Sequence, residues 1–194
     1  LKDGSLIWWS ERDGYGHLYH YKSGKWRQLT QGKWVVTALA GVDEGRGRVC
    51  FTATKDDVLA PQVYALDLAR PGKLERLTEL GWANFATMDK RGQSLLVSRS
   101  SPSQPPQVYL ADGKGKRLAW VEENRLDGAH PYAPFVASHR EPQFGTITAA
   151  DGTQLQPITF SCDQTPKFKG CWGGLLIAGN GPMNSSQSAT ATSP

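Results

Sequence analysis

A chain of 194 residues has room for one domain of ordinary size or slightly more. Its 22 basic and 18 acidic side chains leave a net charge of +4 with no block of like charges, which argues against a nucleic-acid-binding tail and against a nucleic-acid partner. A 39% hydrophobic share argues against wholesale disorder, and no apolar run approaches the roughly 18 residues of a membrane-spanning helix.

The 21 Gly, 12 Pro and 7 Trp, with few helix-favouring stretches, predict short strands separated by tight turns. The chain opens on Leu1 with no basic-then-apolar leader, which reads as a processed product or a piece of something longer. In chain order, the first unit has an Asp3-Gly4 turn, the run Ile7-Trp8-Trp9-Ser10, the triplet His17-Leu18-Tyr19 and the segment Arg27-Gln28-Leu29-Thr30. The second enters on Trp34, turns between Asp43 and Gly45, and continues through Val49-Cys50-Phe51-Thr52, Gln62-Val63-Tyr64 and Glu75-Arg76-Leu77-Thr78. The third enters on Trp82, turns between Asp89 and Gly92, and repeats the order with Leu95-Leu96-Val97-Ser98, Gln107-Val108-Tyr109 and Lys116-Arg117-Leu118-Ala119.

Tyr19, Tyr64 and Tyr109 stand 45 residues apart. The turn chemistry predicts four strands per unit, over 34–41, 47–54, 61–67 and 73–78 in the second and 82–88, 93–99, 106–111 and 115–121 in the third. That period and strand number are the mark of a β-propeller blade. The fold expected is all-β: a partial propeller of about three four-stranded antiparallel blades followed by an extended crossing segment. The blades fall at 1–31, 32–79 and 80–124, the first lacking its opening strand, the crossing segment at 125–160 and a low-complexity tail at 161–194. Too few blades are present to close a ring, so the chain reads as a slice of a larger propeller or as a short polypeptide that closes by self-association through exposed blade faces.

The segments from Trp9 to Tyr19, with Ser10-Glu11 and Gly14-Tyr15, and from Leu29 to Val36 resemble the propeller of the dipeptidyl peptidase IV-like members of the prolyl oligopeptidase family. Val121-Glu122-Glu123-Asn124 resembles the end of that propeller's later blades. Glu141-Pro142-Gln143-Phe144, with the stretch from Thr146 to Leu155 and its Asp151-Gly152-Thr153, resembles the crossing into the α/β-hydrolase domain. The resemblance covers about residues 1–160. It implies a serine peptidase that removes N-terminal dipeptides with proline or alanine second, a propeller that restricts entry of the peptide substrate, and a periplasmic or secreted setting.

The chemistry of such an enzyme needs a nucleophile on Gly-x-Ser-x-Gly, followed by Asp and His. No Gly-x-Ser-x-Gly occurs in the 194 residues, and no His follows His139, so the expectation is a chain without the Ser-Asp-His triad and inactive alone. The family also binds the substrate amine with a pair of glutamates. Glu122-Glu123 matches in composition, but it falls on the outer strand of the third unit and reads as a solvated turn. No catalytic, substrate-binding or metal-ligating residue is therefore assigned, and no cofactor is expected.

The remaining candidates read as structural. His17, His20, His130 and His139 lack metal-ligand spacing and are expected on surface loops. Cys50 is expected as a buried thiol, and Cys162 and Cys171 lack the spacing of a zinc knuckle. Trp8 and Trp9 alternate along one strand, so one is expected in the core and the other on a groove or interface. Pro102, Pro105 and Pro106 read as a rigid loop between strands. Lys114, Lys116 and Arg117 read as a solvated basic patch without interleaved aromatics. From Ser161 onward, 18 of 34 residues are Gly, Pro, Ser, Thr or Asn, which fits either a shifted reading frame near Phe160 or a natural flexible tail. The alternative to a peptidase piece is a non-catalytic propeller module used for binding or assembly.

Overall fold

The computed structural model describes residues 1–139, 141–159 and 176–179. These form two units, residues 1–126 and 127–194. The fold is all-β, as the turn-punctuated sequence requires.

The first unit holds three antiparallel sheets. β1 (Leu6–Ser10), β2 (His17–Lys22) and β3 (Lys25–Gln28) make a three-stranded sheet. β4 (Val36–Asp43), β5 (Arg48–Ala53), β6 (Gln62–Asp67) and β7 (Arg70–Arg76) make a four-stranded one in sequence order. β8 (Ala83–Met88), β9 (Ser94–Ser101), β10 (Gln104–Asp112) and β11 (Arg117–Glu122) repeat that order. Up-and-down meanders of this kind arise where alternating apolar residues meet Asp- and Gly-bearing turns.

Stacking of the sheets supplies the core. Leu18 of the first sheet and Leu29, just after it, meet Val49, Phe51, Tyr64 and Leu66 of the second. The opposite face of the second sheet, Cys50, Val63, Ala65 and Leu77, meets Leu95, Val97, Tyr109 and Ala111 of the third. The second sheet is thus buried on both sides, which explains why β5 and β6 are nearly continuous apolar runs. Glycine lets the sheets approach closely at their turns. Gly92 has φ +70°, and a Cβ there would lie 2.5 Å from the Cβ of Asp43 on the neighbouring sheet.

Several expectations need correction. His17 lies on β2, not on a loop, and is 1% exposed; His20 sits on the same strand. Neither Trp8 nor Trp9 is core: they are 53% and 44% exposed, and Trp9 instead donates its indole N–H to the Val36 carbonyl at 2.8 Å. Only Pro102 belongs to the β9–β10 turn, whereas Pro105 and Pro106 lie within β10 where its register to β9 shifts. In β11 the landmarks slip by three residues. Trp120, not Arg117, stands opposite Tyr109, where Gln28 faces Tyr19 and Arg76 faces Tyr64. Leu118 is accordingly 56% exposed, while Leu29 and Leu77 are buried. The β10–β11 register also shifts on both sides of Tyr109, and such irregularities leave no reliable trace in hydrophobic alternation.

The second unit contains a short 3₁₀ helix, Ala133–Ser138, and a small sheet. β12 (Gln143–Phe144), β13 (Ile147–Thr148) and β15 (Leu176–Gly179) all pair antiparallel with β14 (Gln154–Thr159). The turn from Ala149 to Thr153 is closed by Asp151, whose carboxylate accepts the Thr153 N–H at 2.9 Å. Cys162 and Cys171 lie outside the described residues, as does the tail apart from β15.

Candidate functional site

In each sheet of the first unit, the β1–β2, β5–β6 and β9–β10 hairpins turn at the same rim as the links to the next sheet. The repeated polar residue two places before each tyrosine works at that rim. His17 Nε2 lies 2.9 Å from the carbonyl of Gly32, and Gln62 Nε2 donates to the carbonyl of Trp82 at 2.7 Å. Gln107 donates to the carbonyl of Glu123. All three are buried, and each fastens its sheet to the chain leaving it. Burying such a side chain is tolerable because its polar atoms are satisfied. Gln62 Oε1, for instance, accepts from Thr78 at 2.8 Å and from Asn84 at 3.0 Å.

His17 and Thr30 look at first like a base beside a hydroxyl nucleophile, with Nδ1 and Oγ1 3.1 Å apart. Their geometry forbids that role. Thr30 Oγ1 already accepts the Leu18 N–H at 2.9 Å, His17 Nε2 is occupied by Gly32, and both residues are sealed from solvent. No substrate carbonyl can reach the hydroxyl, so the pair is structural.

Around the tyrosines the rim is charged. Tyr19 donates to Asp13 Oδ1 at 2.8 Å, and burial followed by that carboxylate pushes its pKa up to about 12. Burial works against the charge on Asp13, yet hydrogen bonds from Tyr19 and Gln28 hold its pKa below the ordinary value. Asp56 is likewise held low against burial, by Arg76 at 2.8 Å and Lys55 at 3.1 Å. Burial and then the Asp56 carboxylate raise the phenol of Tyr64. Both carboxylates therefore stay ionised and both phenols stay neutral around neutral pH, so none of the four is poised as a general base there.

The third sheet replaces this arrangement with an arginine among aromatic rings. The Arg99 guanidinium lies 4.0 Å from the ring centre of Trp82, 5.2 Å from that of Trp120 and 5.7 Å from that of Tyr109. It also bonds Gln107 at 3.0 Å and Glu79 at 3.3 Å. Arg117 stacks on Trp120 at 4.4 Å, so it is not a plain solvated cation. Position 99 is occupied by Ser10 and Ala53 in the other sheets, and only the β9–β10 register reveals that Arg99 faces Gln107.

Glu122 ends β11 and Glu123 follows it, and their carboxylates engage neighbours. Glu122 accepts the Asn124 N–H at 3.0 Å and Glu123 pairs with Arg125 at 2.8 Å. Cys50 is fully buried, and burial raises its thiol pKa, away from nucleophilic use. Among the described residues no three His, Cys, Asp or Glu side chains gather as a metal site. What this rim offers chemically is charge pairing and aromatic stacking.

Comparison with known proteins decides the lineage. Residues 1–106 match the family model described as the dipeptidyl peptidase IV N-terminal region. The chain belongs to that family. A second model, a pectate-lyase-like β-helix domain, matches residues 136–193, most of which lie outside the described residues. Among relatives, dipeptidyl peptidase 8 of Mus musculus is 31% identical over 42% of this chain and 10% of its own length. Dipeptidyl peptidase 4 of Arthroderma otae is 29% identical over 59% of this chain and 15% of its own length. The crystal structure of Porphyromonas gingivalis dipeptidyl peptidase 4 superposes with a TM-score of 0.71 at 26% identity, covering 82% of this chain and 22% of that one. The chain thus spans between a tenth and a quarter of the proteins it resembles. The stacked meanders of the first unit are the partial propeller of a dipeptidyl peptidase IV-like protein.

Proposed function

We propose that this chain supplies propeller sheets of a serine-type dipeptidyl peptidase and shapes access of peptide substrates, while the catalytic serine site lies elsewhere in the enzyme. The observation that carries the reading is membership of the dipeptidyl peptidase IV N-terminal region family over residues 1–106. Two features of the chain support the non-catalytic half. The 194 residues contain no Gly-x-Ser-x-Gly, and the buried hydroxyl–imidazole pair of Thr30 and His17 is closed to substrate. The reaction served is hydrolysis of the bond after an N-terminal dipeptide with proline or alanine second, through an acyl-enzyme on a serine.

The test is turnover of Gly-Pro-p-nitroanilide. The 194-residue chain is expected to release no nitroaniline above the buffer rate. A longer product of the same gene that adds a Gly-x-Ser-x-Gly segment is expected to release it. Turnover by the 194 residues that survives repurification refutes the non-catalytic assignment. A longer product with an intact fold and no turnover favours a binding or assembly module instead.

A further inference from the structure

Gly16, Pro61 and Pro106 each stand three residues before the tyrosine of their sheet. At the first two, the carbonyl accepts a main-chain N–H from the opening of the following sheet's first strand. Val36 donates to Gly16 at 2.7 Å, and Asn84 donates to Pro61 at 2.8 Å. Each bond seats a sheet on the hairpin of the sheet before it. At the third position the donor is a side chain. Asn124, two residues beyond β11, donates its amide to the Pro106 carbonyl at 2.9 Å.

The same asparagine turns the chain. Its φ of +46° is left-handed, a region that asparagine enters more readily than most residues. Gln104 donates to its carbonyl at 2.8 Å, and Gln107 donates to the carbonyl of Glu123. The Glu122 carboxylate accepts its N–H at 3.0 Å. Gln104 is peculiar to the third sheet, since Gly14 and Leu59 hold the same offset from Tyr19 and Tyr64. The first unit ends two residues after the turn, at Leu126.

We propose that Asn124 ends the succession of sheets and sets the direction in which the chain leaves them. Its amide takes the acceptor on which a further sheet would seat its first strand, and its turn is tied to β10 through the carbonyls of Glu123 and Asn124. In the dipeptidyl peptidase reading Asn124 is a positioning residue, directing the chain toward the part of the enzyme that carries the serine. That consequence rests on the peptidase reading; the locked exit does not.

Limited trypsin digestion of the 194-residue chain tests it at the Arg125–Leu126 bond, with cuts mapped by mass spectrometry. The protease needs this stretch released from its turn, so the cutting rate follows the open population. Asn124→Gly keeps the left-handed turn free of strain and removes the amide, whereas Gln104→Met removes the donor to the Asn124 carbonyl. Each is expected to speed cutting after Arg125 about tenfold. Cutting after Arg48, Arg76 and Arg117 and the urea midpoint are expected to stay as in the unaltered chain. Unchanged cutting after Arg125 in either variant overturns the proposal. So does acceleration at every site with a lowered midpoint, which means that the sheets have loosened as a whole. An unaltered chain cut after Arg125 before any other site in residues 1–126 overturns it too. Peptidase turnover plays no part in the readout, so a failed exit and a failed peptidase assignment are told apart.

Discussion

The side-chain amide of Gln62 donates to the main-chain carbonyl of Trp82 at 2.7 Å, across the junction from the second sheet to the third. The same amide nitrogen reaches the Ala60 carbonyl at 2.8 Å, and the amide oxygen accepts from both Thr78 and Asn84. One buried residue thus ties a hairpin, the end of a sheet and the start of the next. Gln62→Leu removes all four bonds and strands several buried groups, and is expected to cost about 3 kcal/mol. Gln62→His should be milder, because His17 fills the corresponding place in the first sheet with one ring nitrogen on a carbonyl and the other on a threonine. Urea unfolding of the two variants checks the order. Equal losses would mean that the position acts through packing alone.

Thr52 offers the reverse case. Its hydroxyl is buried in β5 with no hydrogen-bond partner, within a strand enclosed on both sides. Thr52→Val keeps the shape and removes the orphaned polar atom. It is expected to raise the stability by about 1 kcal/mol, read as a higher urea midpoint at unchanged slope. A lower midpoint would show that the hydroxyl is satisfied in solution.

These two positions also show how much of the fold the chain makes legible. The tyrosine spacing of 45 residues survives because each tyrosine sits on the middle strands of a sheet, where one face must be apolar and the register is held by packing. Strand existence, order and all-β class follow from that. The polar partners do not. His17 in isolation looks like a loop histidine, and its burial is evident only beside Gln62 and Gln107, which share its offset from a tyrosine. Arg99 is harder still, since its aromatic neighbours come from a link, a paired strand and the bulged outer strand. The register of β11 hid Trp120, because pairing decides which residues face each other and the composition of the strand does not record it. Trp8 and Trp9 misled for a different reason: exposure depends on what is stacked outside a sheet, and alternation describes only the sheet.

The acid side of the stability profile should carry a contribution from His20. Burial, then the nearby Arg27 guanidinium, lowers its pKa below the ordinary 6.5, with Asp3 opposing and Lys22 adding to the effect. The unfolded chain then binds a proton more readily than the folded one. His20 is neutral with no penalty above pH 6.5, and stability is lost as the pH falls below that value toward the folded pKa. His20→Gln is expected to flatten the slope of unfolding free energy against pH in this window while leaving the carboxylate-driven loss at lower pH intact. An unchanged slope between about pH 6.5 and pH 5 would show that His20 titrates as it does in the unfolded chain.

The central claim is that these propeller sheets belong to a dipeptidyl peptidase IV-like protein yet carry no peptidase nucleophile of their own. Intact-mass analysis after incubation with a fluorophosphonate probe tests it most directly, because such probes react with activated serines whatever the peptide preference. The expected result is an unshifted mass for the folded 194-residue chain. A single phosphonate adduct on any serine, abolished by prior unfolding, would contradict it.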